Sequence, residues 1–106
     1  DGFIKSLWDW CQSNEAYRNK TTFIITCDHG RGSVNKEDWR HHGIETPNSD
    51  QIWIAMIGPD TPSTGEMKSS SQLYQNQVAR TVAALLRLNF NPGPNAGTAI
   101  EPSIGK

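Results

Sequence analysis

Nowhere does the chain approach the roughly 18 consecutive apolar residues that a membrane-spanning helix requires, so this segment is expected to contain no membrane span. A basic cluster is missing as well. The 10 lysines and arginines are interspersed with 11 acidic residues, for a formal net charge of -1, which leaves no electrostatic footprint for a nucleic acid. No basic stretch leads into an apolar core at the N-terminus, so no signal peptide is visible. No initiator methionine precedes Asp1. A chain that opens inside a helical pattern in this way is expected to be a processed or truncated piece, and its localisation is open between cytoplasm and periplasm. Cysteine is scarce. Cys11 and Cys27 could pair in principle, but one in a helix and one in a strand are expected to be plain buried thiols, which leaves the redox compartment open. Internal repeats and low-complexity tracts are absent. What 106 residues then allow is one small domain with a modest core.

The elements follow from periodicity. Phe3, Ile4, Leu7, Trp8 and Cys11 share a stripe that predicts an amphipathic helix over 2–13, ended by Ser13-Asn14. Trp8 and Trp10 are ordinary core at this spacing. Residues 15–20 form a polar connection with room for a helical turn. The β-branched run at 22–27 predicts a strand, and the apolar run at 52–57 a second one. Neither alternates strictly, which suits strands covered on both faces, as in a parallel sheet flanked by helices. Between them, residues 30–51 are polar and aperiodic and read as a long loop, a length that is unusual without a function. After the loop at 58–71, with Ser69 or Ser71 as a cap, a helix is predicted over 72–88 from Tyr74, Val78, Thr81, Val82, Leu85 and Leu88. Residues 89–106 carry Pro92, Pro94 and Pro102 and are expected to be an irregular tail, with at most a short extended piece near Thr98–Ile100. Two strands and two helices make a thin α/β domain. Such apolar strands need more cover than this chain supplies, so the natural sheet is expected to continue in further sequence.

The chemistry concentrates where the first strand stops. Asp28 and His29 stand side by side at the carboxyl end of that strand, the usual place for functional groups in open α/β sheets, and Gly30 lets the backbone turn. A carboxylate with an imidazole suits zinc, manganese or iron better than an all-oxygen calcium site. From the pair alone, a carboxylate bonded to a local backbone amide beside a solvated histidine is the stronger alternative. His42 adds weight to a metal site, because all three histidines fall between 29 and 42, inside the loop. His41 and His42, as neighbours, do not readily share one ion, so one of them is expected to support a ligand or face the substrate. Arg31 and Arg40 could meet an anionic substrate or equally be solvated loop arginines. No general base or nucleophile accompanies these groups.

ITCDHGRG, a strand ending in T-x-D-H-G, is followed by DWRHHG with its W-x-x-H-G, then by SDQIWIAMIGPDTPSTGE and the helix QNQVARTVAALL. This ordered set, over roughly residues 1 to 100, resembles the C-terminal part of the alkaline phosphatase superfamily. That superfamily includes alkaline phosphatases, nucleotide pyrophosphatase/phosphodiesterases, sulfatases, phosphopentomutase and the cofactor-independent phosphoglycerate mutase. The resemblance is nearest to bacterial proteins labelled phosphoglyceromutase or alkaline phosphatase family protein.

What the resemblance implies is an α/β/α sandwich of which these residues are a partial, C-terminal portion. Asp28 and His29 would bind one ion of a two-metal centre and His42 the other, with zinc or manganese as the ions. His41 would be the less suitable ligand, and Arg31 and Arg40 would be candidates for substrate contact. The remaining ligands and a Thr or Ser nucleophile would lie upstream. The implied activity is phosphoryl transfer or phosphoric ester hydrolysis in the parent protein, on a phosphate ester substrate, and the 106-residue piece alone would be inactive. Alternatives are phosphoglycerate mutase proper, a one-metal sulfatase or phosphonate-cleaving relative, and a non-enzymatic binding module. The last predicts that His29 and His42 lie far apart and that the loop orders without metal. Self-association through an exposed sheet edge or apolar face is also expected of a partial sheet.

Overall fold

The computed structural model describes residues 1–68 and 71–101. In chain order the elements are helix α1 (Gly2–Ser13), strand β1 (Phe23–Thr26), a 3-10 turn at Lys36–Arg40, strand β2 (Ile54–Ile57), a second 3-10 turn at Gln75–Gln77 and helix α2 (Val78–Leu85). The chain divides into two compact units, 1–22 with 57–106 and 23–56. It is a small α/β fold of two helices and a two-stranded antiparallel sheet.

α1 occupies the span its stripe predicts and ends at Asn14, whose extended backbone takes it out of the helix. The stripe itself splits in two. Cys11 is buried and Ile4 and Trp8 are half-buried, but Phe3 is 93% exposed, and Leu7 and Trp10 are also exposed. Trp10 is thus not core; its ring lies 5.3 Å from that of Tyr17. Residues 14–20 form helical turns, with the Arg18 amide donating to Asn14 O at 2.8 Å.

The strands are shorter than the apolar runs at 22–27 and 52–57, and they run antiparallel rather than parallel. Gly58 lies against Thr22, the Thr26 hydroxyl donates to Trp53 O at 2.6 Å, and the Gly30 amide donates to Ser49 O at 2.7 Å. Partner numbers fall as chain numbers rise, which only antiparallel pairing gives. The physical reason lies in the connection: a parallel pair needs a crossover, normally a helix, and residues 27–53 hold only a 3-10 turn and fold straight back. Neither strand has a fully buried residue.

α2 is the larger departure. The apolar spacing extends from Tyr74 to Leu88, yet the helix runs only from Val78 to Leu85. At its start Tyr74 is extended, and its amide donates to the Gln77 side chain at 2.7 Å, so the chain enters through the 3-10 turn. At its end Arg87 adopts φ 55°. The Leu88 amide then reaches Ala83 O at 2.8 Å and the Arg87 amide Ala84 O at 3.0 Å, the paired bonds of a Schellman stop. Ser71 is not the cap, and Ser69 lies outside the described residues. A left-handed conformation is costly for a side chain with a Cβ and nearly free for glycine. Arg87→Gly is therefore expected to stabilise the chain by about 1 kcal/mol in denaturant unfolding; a loss of stability would contradict this helix stop.

Thr81, placed by the sequence on the apolar face of α2, is fully buried, but as a polar clamp. Its hydroxyl donates to Gln77 O at 2.8 Å and accepts the Ile100 amide at 3.0 Å. Asn76 and Gln77 donate to Asn95 O and Thr98 O, both at 3.1 Å. The tail is thus irregular but tied down, with Ile100 buried and no strand among its described residues. Cys11, Ala83 and Ile100 are the buried hydrophobic residues described, against sixteen exposed large ones. The core is thin. Among the described residues no helix is long and apolar enough to cross a membrane.

Candidate functional site

The loop that joins β1 to β2 is an ordered structure, and its own backbone builds it. Two glycines allow the folding. A Cβ on Gly30 would meet Gln51 O in overlap and stand 2.9 Å from Asn48 O. One on Gly32 would stand 2.7 Å from both Asp38 O and the Thr46 methyl group. In the glycine-containing loop, the Gly32 amide donates to His41 O at 3.0 Å, and the Ser49 hydroxyl donates to Gly43 O at 2.9 Å. Asn48, at φ 69°, donates from its side chain to Ser33 Oγ at 2.7 Å. The 3-10 turn at Lys36–Arg40 fills the middle, with the His41 amide on Asp38 O at 2.9 Å.

This folding brings His29 and His42 together. Their rings stack with centroids 3.9 Å apart and planes inclined by 15°. His29 Nδ1 lies 2.7 Å from Gly30 O. A carbonyl can only accept, so Nδ1 carries the hydrogen, and in the neutral ring Nε2 keeps its lone pair. That is the arrangement usual for a metal-ligating histidine, oriented by a carbonyl behind it. His29 Nε2 stands 3.6 Å from Asp28 Oδ2, beyond hydrogen-bond range. Two donors on one tetrahedral ion, each at about 2.0–2.2 Å from it, stand roughly 3.3–3.6 Å apart, so this pair can share an ion. The other Asp28 oxygen accepts the His29 amide at 2.9 Å, which fixes the carboxylate beside the ring. The plain local bond foreseen for Asp28 is thus present, together with a geometry suited to metal.

The donor set is two plus one, not a closed shell. Among the described residues no group of three or more His, Cys, Asp or Glu side chains is placed to hold one ion. A carboxylate and imidazoles are the right donor chemistry for zinc or manganese, and any ion held here needs further ligands.

An open cleft of about 690 Å³ runs beside the pair, lined by His29 and His42, by Arg31 and Arg40, and by Trp39 and Trp53. All of its lining belongs to the 23–56 unit. Among the described residues the side chains of Arg31 and Arg40 have no hydrogen-bond or ion-pair partner, so both positive charges are available to an anion. His41 does not line the cleft; its backbone carbonyl takes the Gly32 amide instead. On the sequence alone neither tryptophan has a role in the site, although Trp39 opens the W-x-x-H-G pattern. Trp39 is 56% and Trp53 57% exposed. Leaving about 100 Å² of an indole in water forgoes roughly 2.5 kcal/mol of burial, a signal readable in sequence only as two tryptophans flanking a polar loop. The Pro47-Asn48-Ser49-Asp50 turn was equally legible in type, but its partners across the loop were not.

No family model, curated protein or solved structure matches the chain.

Proposed function

We propose that residues 1–106 are the C-terminal part of a metal-dependent phosphoryl-transfer enzyme of the alkaline phosphatase type, acting on phosphoric esters at a two-metal centre. Asp28 and His29 would hold one divalent ion, zinc or manganese, and His42 the other. The observation that carries this reading is the stacked pair, with imidazole centroids 3.9 Å apart. Near-parallel rings at that spacing suit two neighbouring ions better than one, because a single tetrahedral ion needs its ligands to converge from different directions. Of the two expectations of the binding-module alternative, distant histidines do not describe this loop, whereas a loop ordered by its own backbone bonds does.

Divalent ions bound there supply Lewis-acid charge for the phosphoryl oxygens and for a hydroxyl nucleophile. The residues of this chain position and bind. Gly30 O holds the His29 tautomer, Asp28 is pinned by the His29 amide, and Arg31 and Arg40 offer charge to non-bridging ester oxygens. The Thr or Ser nucleophile and the remaining ligands would come from outside residues 1–106, in keeping with the two-plus-one donor set. The half-covered faces of β1 and β2 and the exposed apolar line of α1 accord with a larger α/β/α sandwich around them.

In the complete protein, hydrolysis of 4-nitrophenyl phosphate is expected to stop on chelation and return with zinc or manganese. The 106-residue chain alone is expected to be inactive. Hydrolysis that survives full chelation would contradict the reading, and cleavage of sulfate esters in preference to phosphate esters would favour the one-metal relative.

A further inference from the structure

We propose that the cleft selects phosphate monoesters whose alcohol part carries a flat aromatic ring system, with Trp39 and Trp53 as the side chains that take the ring. This rests on the phosphoryl-transfer reading and adds the substrate class to it. The same cleft holds three kinds of group: the stacked histidines, two guanidinium side chains without partners among the described residues, and two half-exposed indoles. The guanidinium groups match a phosphate, and the indoles match a π-face. The loop fixes the backbone of both tryptophans. Trp39 sits in the 3-10 turn directly before Arg40, and Trp53 is held by the Thr26 hydroxyl on its carbonyl at 2.6 Å.

An aliphatic ester would satisfy the arginines and leave both indoles in water. A sugar phosphate could stack on one indole, but its hydroxyls would face the other indole unpaired, at the cost that buried polar groups carry. A planar ring carries no such cost. A phenyl phosphate or a nucleoside monophosphate carries both the anion and the ring, and either is smaller than the cleft of about 690 Å³.

The test is calorimetric titration of the complete protein with the non-hydrolysable phosphonate counterparts of phenyl phosphate, adenosine 5′-monophosphate, ribose 5-phosphate and glycerol 3-phosphate, with metal content measured on the same samples. The aromatic phosphonates are expected to bind about tenfold more tightly than the other two, as ring stacking on an aromatic side chain supplies. Trp39→Leu and Trp53→Leu are expected to lower that ratio, and Trp39→Phe to keep most of it. Arg31→Gln and Arg40→Gln are expected to weaken binding of all four phosphonates and leave the ratio intact. Equal affinities in the unmodified protein, absence of binding by any phosphonate, or a ratio untouched in both leucine variants would overturn the inference. Normal metal content without aromatic preference overturns this inference alone. Aromatic preference in a protein that takes up no metal contradicts the phosphoryl-transfer reading and leaves the selectivity of the cleft standing.

Discussion

Gly30→Ala is expected to destabilise the chain by about 2–4 kcal/mol, the range of severe steric substitutions, and to abolish the histidine stack. The added methyl group would overlap Gln51 O and press on Asn48 O and Ser49 O, the last at 3.1 Å. All three are backbone atoms, so no rotamer change relieves the contact. The Gly30 amide also makes the 2.7 Å bond to Ser49 O that closes the loop, and its carbonyl orients His29. Displacing the residue therefore damages both the loop and the ligand. Gly43 is the control: a Cβ there meets nothing within 4 Å, and Gly43→Ala is expected to change stability by less than about 0.5 kcal/mol. Equal unfolding midpoints for the two variants would mean that the backbones do not approach at Gly30.

The second large effect separates adjacent histidines. His42→Ala in the complete protein is expected to lower phosphate ester hydrolysis by at least about 100-fold, since losing even a group that merely orients a ligand costs about 10- to 100-fold. His41→Ala is expected to stay within a few-fold of the parent, because His41 serves the loop through its backbone carbonyl and lies outside the cleft lining. Side-chain removal leaves that carbonyl in place. Initial rates of the two variants at matched metal loading provide the check, and similar losses in both would remove the distinction drawn here.

The coarse fold was legible in the sequence, though unevenly. α1 follows its stripe to the residue because nothing competes with its periodicity before Asn14. α2 does not, since the apolar spacing of Tyr74 and Leu88 continues past the points where Gln77 turns its side chain back and Arg87 turns left-handed. Periodicity reports which positions could face a core, whereas caps decide where a helix stops. The strands were located, but their direction was misjudged, because the uniform apolar run of β1 reads the same whether its partner is parallel or antiparallel. At the site, Asp28, His29 and His42 were picked by residue type, and the folded loop brings the two imidazoles together. The placement of the tryptophans and the clamps made by Ser33, Asn48 and Ser49 depend on contacts across the loop that no local pattern encodes.

The metal content of the complete protein, purified without chelator, tests the central claim most directly when set beside that of His42→Ala. Close to two equivalents of zinc or manganese per chain, falling toward one in the variant, is the predicted result. A protein that holds no transition metal, and shows no change on losing His42, would contradict the account.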